Sequence, residues 1–197
     1  MEALYNACVN GDLSGVKEMV AAGTEVDFTL EIDNKTVSPL SAAVKHGHIE
    51  LAEYLIINGA NVNIYPIDES IMLTAVRSYN IAMVRMLLDS NGDVDCCNHR
   101  SESLLSWVVY LDYPEMVEML IDYGADVNIT DQDGNTPLHI ACMYNKTNIV
   151  KILLSKGADC NIINDEKSRP YDLTWSDEIR DIINDHLNSI PDIKEPD

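Results

Sequence analysis

The stretch "DQDGNTPLHIAC", residues 131–142, crowds Asp131, Asp133, Asn135, a glycine, a threonine and a histidine into one short run. Spaced side-chain oxygens of this kind suggest a calcium loop. Such a loop would need a bidentate glutamate where Cys142 stands. As a catalytic site the run would need a nucleophile or an acid beside His139. Thr136 followed at once by Pro137 marks a helix start instead.

Internal periodicity decides between chemistry and architecture. Ala141 has counterparts at Ala7, Ala43, Ala75 and Val108, at successive spacings of 36, 32, 33 and 33 residues. Nineteen positions after each stands Val26, Val62, Val94, Val127 or Cys160, followed by Asp27, Asn63, Asp95, Asn128 or Asn161. The register never slips within a unit, so the chain is a repeat array.

Each slot of the repeat has a physical job. Ser38, Ser70, Ser103 and Thr136 stand where a side-chain oxygen caps the first amides of a helix. Pro39, Pro137 and Pro170 suit the first helical position. Small residues on one face then let a second helix lie close, after a break around Gly11 and Gly47. In that second helix the pairs Met19-Val20, Leu55-Ile56, Leu87-Leu88, Leu120-Ile121 and Leu153-Leu154 form an apolar stripe. Gly23, Gly59, Gly124 and Gly157 then suit a left-handed cap. Asn91 replaces glycine in the third unit, a residue the left-handed region tolerates.

"TPLHIA" at 136–141 and "GADVN" at 124–128, set in a helix-turn-helix period, resemble the ankyrin repeat, whose signature includes T-P-L-H-x-A over about 33 residues. The resemblance covers residues 1–187. It implies an all-α solenoid of paired antiparallel helices with projecting β-turn fingers and a concave binding face. It also implies a structural role for Thr136 and His139, which in that family bond to one another and to neighbouring loops. The expected organisation is a single ankyrin-repeat domain over 1–187. Its units are 1–29, 30–65, 66–97, 98–130 and 131–163, with a C-terminal cap at 164–187. The acidic segment 188–197, "NSIPDIKEPD", is expected to be disordered.

Several units depart from the pattern. The first and last have the character of end caps, which shield a stack from water. The last, "SRPYDLTWSDEIRDIINDHL" at 168–187, is expected to have a shortened link between its helices. The finger "FTLEIDNKTV" at 28–37 carries three extra residues and is expected to project further. "SIMLTA" opens the third unit, and Tyr79 there takes the place of Gly47, which predicts a reshaped inter-helix turn. "SLLSWV" opens the fourth, with Val108 for alanine, Trp107 on a core slot and Pro114 starting the second helix.

Composition narrows the function classes. A formal charge of -20, from 33 acids against 13 Lys and Arg, argues against nucleic-acid phosphates and anionic lipid as partners. A protein partner with a basic surface fits better. Five scattered cysteines and the lack of a signal-like apolar stretch near Met1 predict a reducing, cytoplasmic location, with the nucleus also compatible. The sequons at Asn34, Asn128 and Asn145 are then chance. No apolar run approaches the ~20 residues of a membrane span.

Nothing in the chain predicts catalysis or a cofactor. Cys96, Cys97 and His99 share one finger, but zinc would need a fourth donor from elsewhere, and no C-x-x-C pair exists. His46 and His48 flank Gly47 in a turn of the kind common in the family, which implies structure rather than ligation. There is no nucleophile elbow and no glycine-rich phosphate loop.

Family geometry places the partner-binding residues at the finger tips and the exposed ends of the first helices. The finger positions are Ile67, Asp68 and Glu69; then His99, Arg100 and Glu102; then Gln132, Asp133 and Asn135. The helix-end positions are Lys45, His46 and Arg77, with Tyr110, Leu111, Met143 and Tyr144 apolar at a slot that is polar in the earlier units. Interface centres favour Tyr and Met. The expected function is a monomeric, non-enzymatic protein-interaction module, with inhibitor and adaptor roles both compatible. The alternatives are an enzyme-associated regulatory subunit, a substrate of asparaginyl hydroxylation at Asn63 and Asn128, and a structural piece of a larger assembly.

Overall fold

In the computed structural model, which describes residues 1–32, 34–64, 70–98 and 102–189, four first helices begin at a side-chain cap. The hydroxyls of Ser38, Ser70, Ser103 and Thr136 accept the backbone N–H of Ser41, Leu73, Ser106 and His139. Each satisfies one of the orphan amides of a helix start. Contacts divide the chain into two units, Met1–His99 and Arg100–Asp197.

The first unit holds three helix pairs. They are α1 (Glu2–Asn10) with α2 (Leu13–Ala21), α3 (Pro39–Lys45) with α4 (Ile49–Ile57), and α5 (Ile71–Arg77) with α6 (Ile81–Asp89). First helices pack on first helices, α1 on α3 and α3 on α5, while α4 packs on α6. Leu4, Leu40, Leu51, Leu55, Leu73 and Met83 are fully buried between them. The 28–37 finger is a hairpin, β1 (Leu30–Ile32) antiparallel to β2 (Lys35–Val37), with Leu30 opposite Val37 and Ile32 opposite Lys35. Its extra residues therefore extend a pair of strands.

The second unit holds α7 (Leu104–Tyr110) with α8 (Pro114–Asp122) and α9 (Pro137–Met143) with α10 (Thr147–Ser155), then a 3-10 turn (Pro170–Leu173) and α11 (Asp177–Ser189). α7 packs on α9 and α9 on the 3-10 turn, while α8 packs on α10 and α10 on α11. The last link is not shortened. Residues 174–176 join the turn to α11, as residues 144–146 join α9 to α10. What has shrunk is the first helix, because Thr174 turns extended (ψ 141°) and its hydroxyl accepts the N–H of Ser176. α11 includes Asn188 and Ser189, so the rest of the expected disordered tail, 190–197, lies outside the described residues.

The turns inside the pairs hold a surprise at Tyr79. Its φ is +49°, alongside +71° at Gly11, +75° at Gly47, +64° at Asp112 and +52° at Asn145. The Tyr79 N–H donates to Val76 O as Gly47 N–H does to Val44 O. The turn is therefore not reshaped. The hydrogen bonds that close it force a tyrosine into the left-handed region, at a cost of about 1 kcal/mol. Asn91 holds the left-handed cap of α6 at φ +63°, as expected.

Gly11 is bound by space as well as by φ. A Cβ there would lie 2.7 Å from the His48 ring. That ring docks against the preceding pair, its Nε2 3.2 Å from Val9 O. Gly11→Ala is thus expected to lose about 1–2 kcal/mol in urea unfolding, from left-handed strain and displacement of His48. A variant with the wild-type midpoint would show that the ring moves away without cost.

Candidate partner-binding face

The quoted stretch is braced from within. Asp131 Oδ1 accepts the N–H of Asp133 at 2.9 Å and of Asn135 at 2.8 Å, and Asp131 N–H donates to Asn135 O. Gly134 takes φ +75°, and a Cβ there would meet the backbone of Asn164 and Asp165 at 3.2 Å. The Asn135 amide bridges both ways, donating to Asp131 Oδ2 and accepting from Asn164 Nδ2. The Asp131 and Asn135 side-chain oxygens, which a calcium loop would aim at a cation, are taken by amides of the turn and of the next finger.

His139 is fully buried. Its Nε2 lies 3.1 Å from Ser168 O, a carbonyl that can only accept, so Nε2 carries the proton. Nδ1 is left to accept from the Thr136 N–H at 3.1 Å and its hydroxyl at 2.8 Å. The ring thus ties the helix start to the next finger, 29 residues on.

Burial lowers the His139 pKa below its ordinary 6.5, opposed by the Ser168 carbonyl and the Asp131 charge. The unfolded chain therefore takes up the proton first as pH falls. Stability from the neutral ring is complete above about pH 6.5 and declines below it, until the folded form also titrates. Wild type is expected to lose more stability than His139→Gln between pH 7.5 and 5.5, measured by urea midpoints. Parallel losses in both proteins would refute this.

The apolar residues meet at the C-terminal ends of α7 and α9. Tyr110 is 48% exposed, Met143 40% and Tyr144 48%. The Tyr110 and Tyr144 rings meet edge to face, with centroids 5.1 Å apart and planes at 83°. Trp107, one turn before Tyr110, makes a second such contact at 5.8 Å and 85°. These rings, Met143 and Ile140 line a groove of about 430 Å³ together with Glu102, Ser106, Asp131, Asp133 and Asn135.

The structure therefore brings together Glu102, Tyr110, Asp133, Asn135, Met143 and Tyr144. Leu111, half-buried at the C-cap of α7, and exposed Gln132 do not line the groove. Lys45, His46 and Arg77 are exposed in the other unit, where the His46 ring stacks on His48. Ile67, Asp68, Glu69, His99 and Arg100 lie outside the described residues. Trp107 is a correction: it sits half-buried as a wall of the groove rather than in the core. Helical spacing carries the missed signal, since Trp107 stands three residues before Tyr110 and Ile140 three before Met143, on shared faces.

Asn63 and Asn128, the candidate hydroxylation targets, hold neighbouring turns. Their Oδ1 atoms accept the N–H of Asp93 and Asp159, each at 2.8 Å. Among the cysteines, burial pushes Cys8 and Cys142 up to about 12 and Cys96 to about 11. Those thiols stay protonated near neutrality and lack nucleophilic character. Among the described residues, no helix is long and apolar enough to cross a membrane.

Comparison with known proteins places this geometry in context. A family model described as ankyrin repeats (3 copies) matches residues 1–65 and 71–164. The palmitoyltransferase AKR1 of Kluyveromyces lactis is 34% identical over 116 residues, which is 56% of this chain but 15% of that protein. An ankyrin repeat domain from Acinetobacter baumannii superposes with a TM-score of 0.84 at 26% identity, over 94% of this chain and 96% of that one. The ankyrin repeat domain of Bcl-3, a member of the IkappaB protein family, gives 0.67 at 22% identity, over 92% and 97%.

Proposed function

Because the chain belongs to the ankyrin-repeat family, whose fold is generally a non-enzymatic protein-interaction module, we propose that it binds a protein partner through the face formed by α7, α9 and the 131–135 finger. The supporting observation is the exposed Tyr110, Met143 and Tyr144 cluster on one groove. Half-exposed aromatics walling a groove are the composition of an interface centre. The charge of -20 favours a partner with a basic surface and disfavours nucleic acid. Transferase activity in the name of the matched yeast protein is not carried over, since the match spans 15% of its length. Five free cysteines fit a reducing, cytoplasmic location.

The test is affinity capture from the source cell with the chain as bait, then amide exchange on the complex. Protection at 104–111 and 131–144 is expected. Protection confined to the 28–37 hairpin or the second helices would move the interface. A captured partner that arrives with its own ligands marks an adaptor, and one stripped of them marks an inhibitor.

A further inference from the structure

We infer that the groove between α7 and α9 takes a cationic side chain, arginine or lysine, presented by a basic segment of the protein partner. The inference rests on the proposed role of this face. Its lining combines aromatic and apolar side chains with carboxylates, and a cation satisfies both. Trp107, Tyr110 and Tyr144 meet at near right angles, and about half of each tyrosine remains exposed. A cation resting on such rings is attracted by their electron-rich faces.

Asp131, Asp133 and Glu102 supply negative charge beside those rings, and among the described lining residues none is basic. Asp131 is committed to its turn, which fixes its charge in place without removing it. Asp133 stands exposed on the same finger, pinned through its carbonyl to the N–H of Asp165.

Other occupants fit less well. An apolar side chain would desolvate the exposed Asp133 carboxylate and bring no charge to it. A phosphate or carboxylate would face like charge. A second copy of the chain would bring another charge of -20 to a face that already carries acids. A long aliphatic stem ending in a charge lets its methylenes cover Ile140 and Met143 while its head reaches the acids.

The test titrates the 197-residue chain with acetylated, amidated peptides Gly-Ser-Xaa-Ser-Gly, where Xaa is arginine, lysine, citrulline or norleucine. Nuclear magnetic resonance follows the Trp107 indole and the Tyr110 and Tyr144 rings. Citrulline and norleucine keep the stems and remove the charge. The arginine and lysine peptides are expected to shift these signals saturably, about tenfold more tightly than their neutral counterparts, the scale of a partly desolvated cation on aromatic rings. Tyr144→Leu should abolish the shifts, and Asp133→Asn should weaken binding several-fold with an unchanged amide spectrum elsewhere. Equal binding of citrulline and arginine, shifts spread over the whole acidic surface, or no shifts at the rings would each overturn the inference. If the captured partner still protects 104–111 and 131–144 while the peptides show no charge preference, this inference fails and the binding face stands. Protection elsewhere removes the face itself.

Discussion

Replacing Tyr110 and Tyr144 together with alanine is expected to weaken partner binding by about 30-fold or more, equivalent to about 2 kcal/mol, the scale of an interface hot spot. The two rings contact each other and present about half their surface to solvent. Their removal deletes the aromatic lining of the groove while leaving α7 packed on α9 and Leu105, Val108, Leu138 and Ala141 buried. Folding should lose only the edge-to-face ring contacts, about 1 kcal/mol. Neutralising exposed acids outside the groove, such as Glu115 and Glu118, should act differently, on the association rate, because long-range attraction steers encounter and is screened by salt. Binding kinetics of the captured partner at two salt concentrations separate these effects. Wild-type affinity in the double tyrosine variant would place the interface elsewhere.

The second large effect concerns stability. His139→Ala is expected to cost about 2–4 kcal/mol, from a buried cavity and from polar groups that lose their partners. Ser168 O and the Thr136 N–H both depend on this ring. The loss should concentrate at the seam between α9 and the 3-10 turn, which the ring spans. Urea unfolding gives the magnitude, and faster amide exchange at 168–173 gives the location. A near-wild-type midpoint would mean that water replaces the imidazole in both bonds, and the brace would then contribute little.

The difference between what was legible in the sequence and what was not follows the range of the forces. Helix starts at Ser38, Ser70, Ser103 and Thr136, and the left-handed caps at Gly59 and Asn91, depend on hydrogen bonds within a few residues. A repeat stack is built from such local units and nearest-neighbour contacts, so register alone carried the all-α ankyrin fold. The apolar helix ends at Tyr110, Met143 and Tyr144 were legible too, because a slot that is polar at Lys45 and Arg77 turns apolar there.

Competition for partners across units was decided only by the tertiary structure. Trp107 occupies a slot held by Ala42 and Thr74 in earlier units, and only the packing of α7 beside α9 turns its ring toward a groove. Asp131, Asp133 and Asn135 look equivalent as polar finger residues. The turn's own amides consume Asp131, Asn164 binds Asn135, and Asp133 alone of the three is exposed. Tyr79 violates local preference because two helices must still pair across it, so the hydrogen-bonded turn overrides the side chain. By itself, then, the sequence determined the helices, their caps and their stacking, through short-range bonds and a repeated apolar stripe. How Asn135 and His139 are bonded depended on groups 29 residues away, brought within bonding distance only when neighbouring units stack.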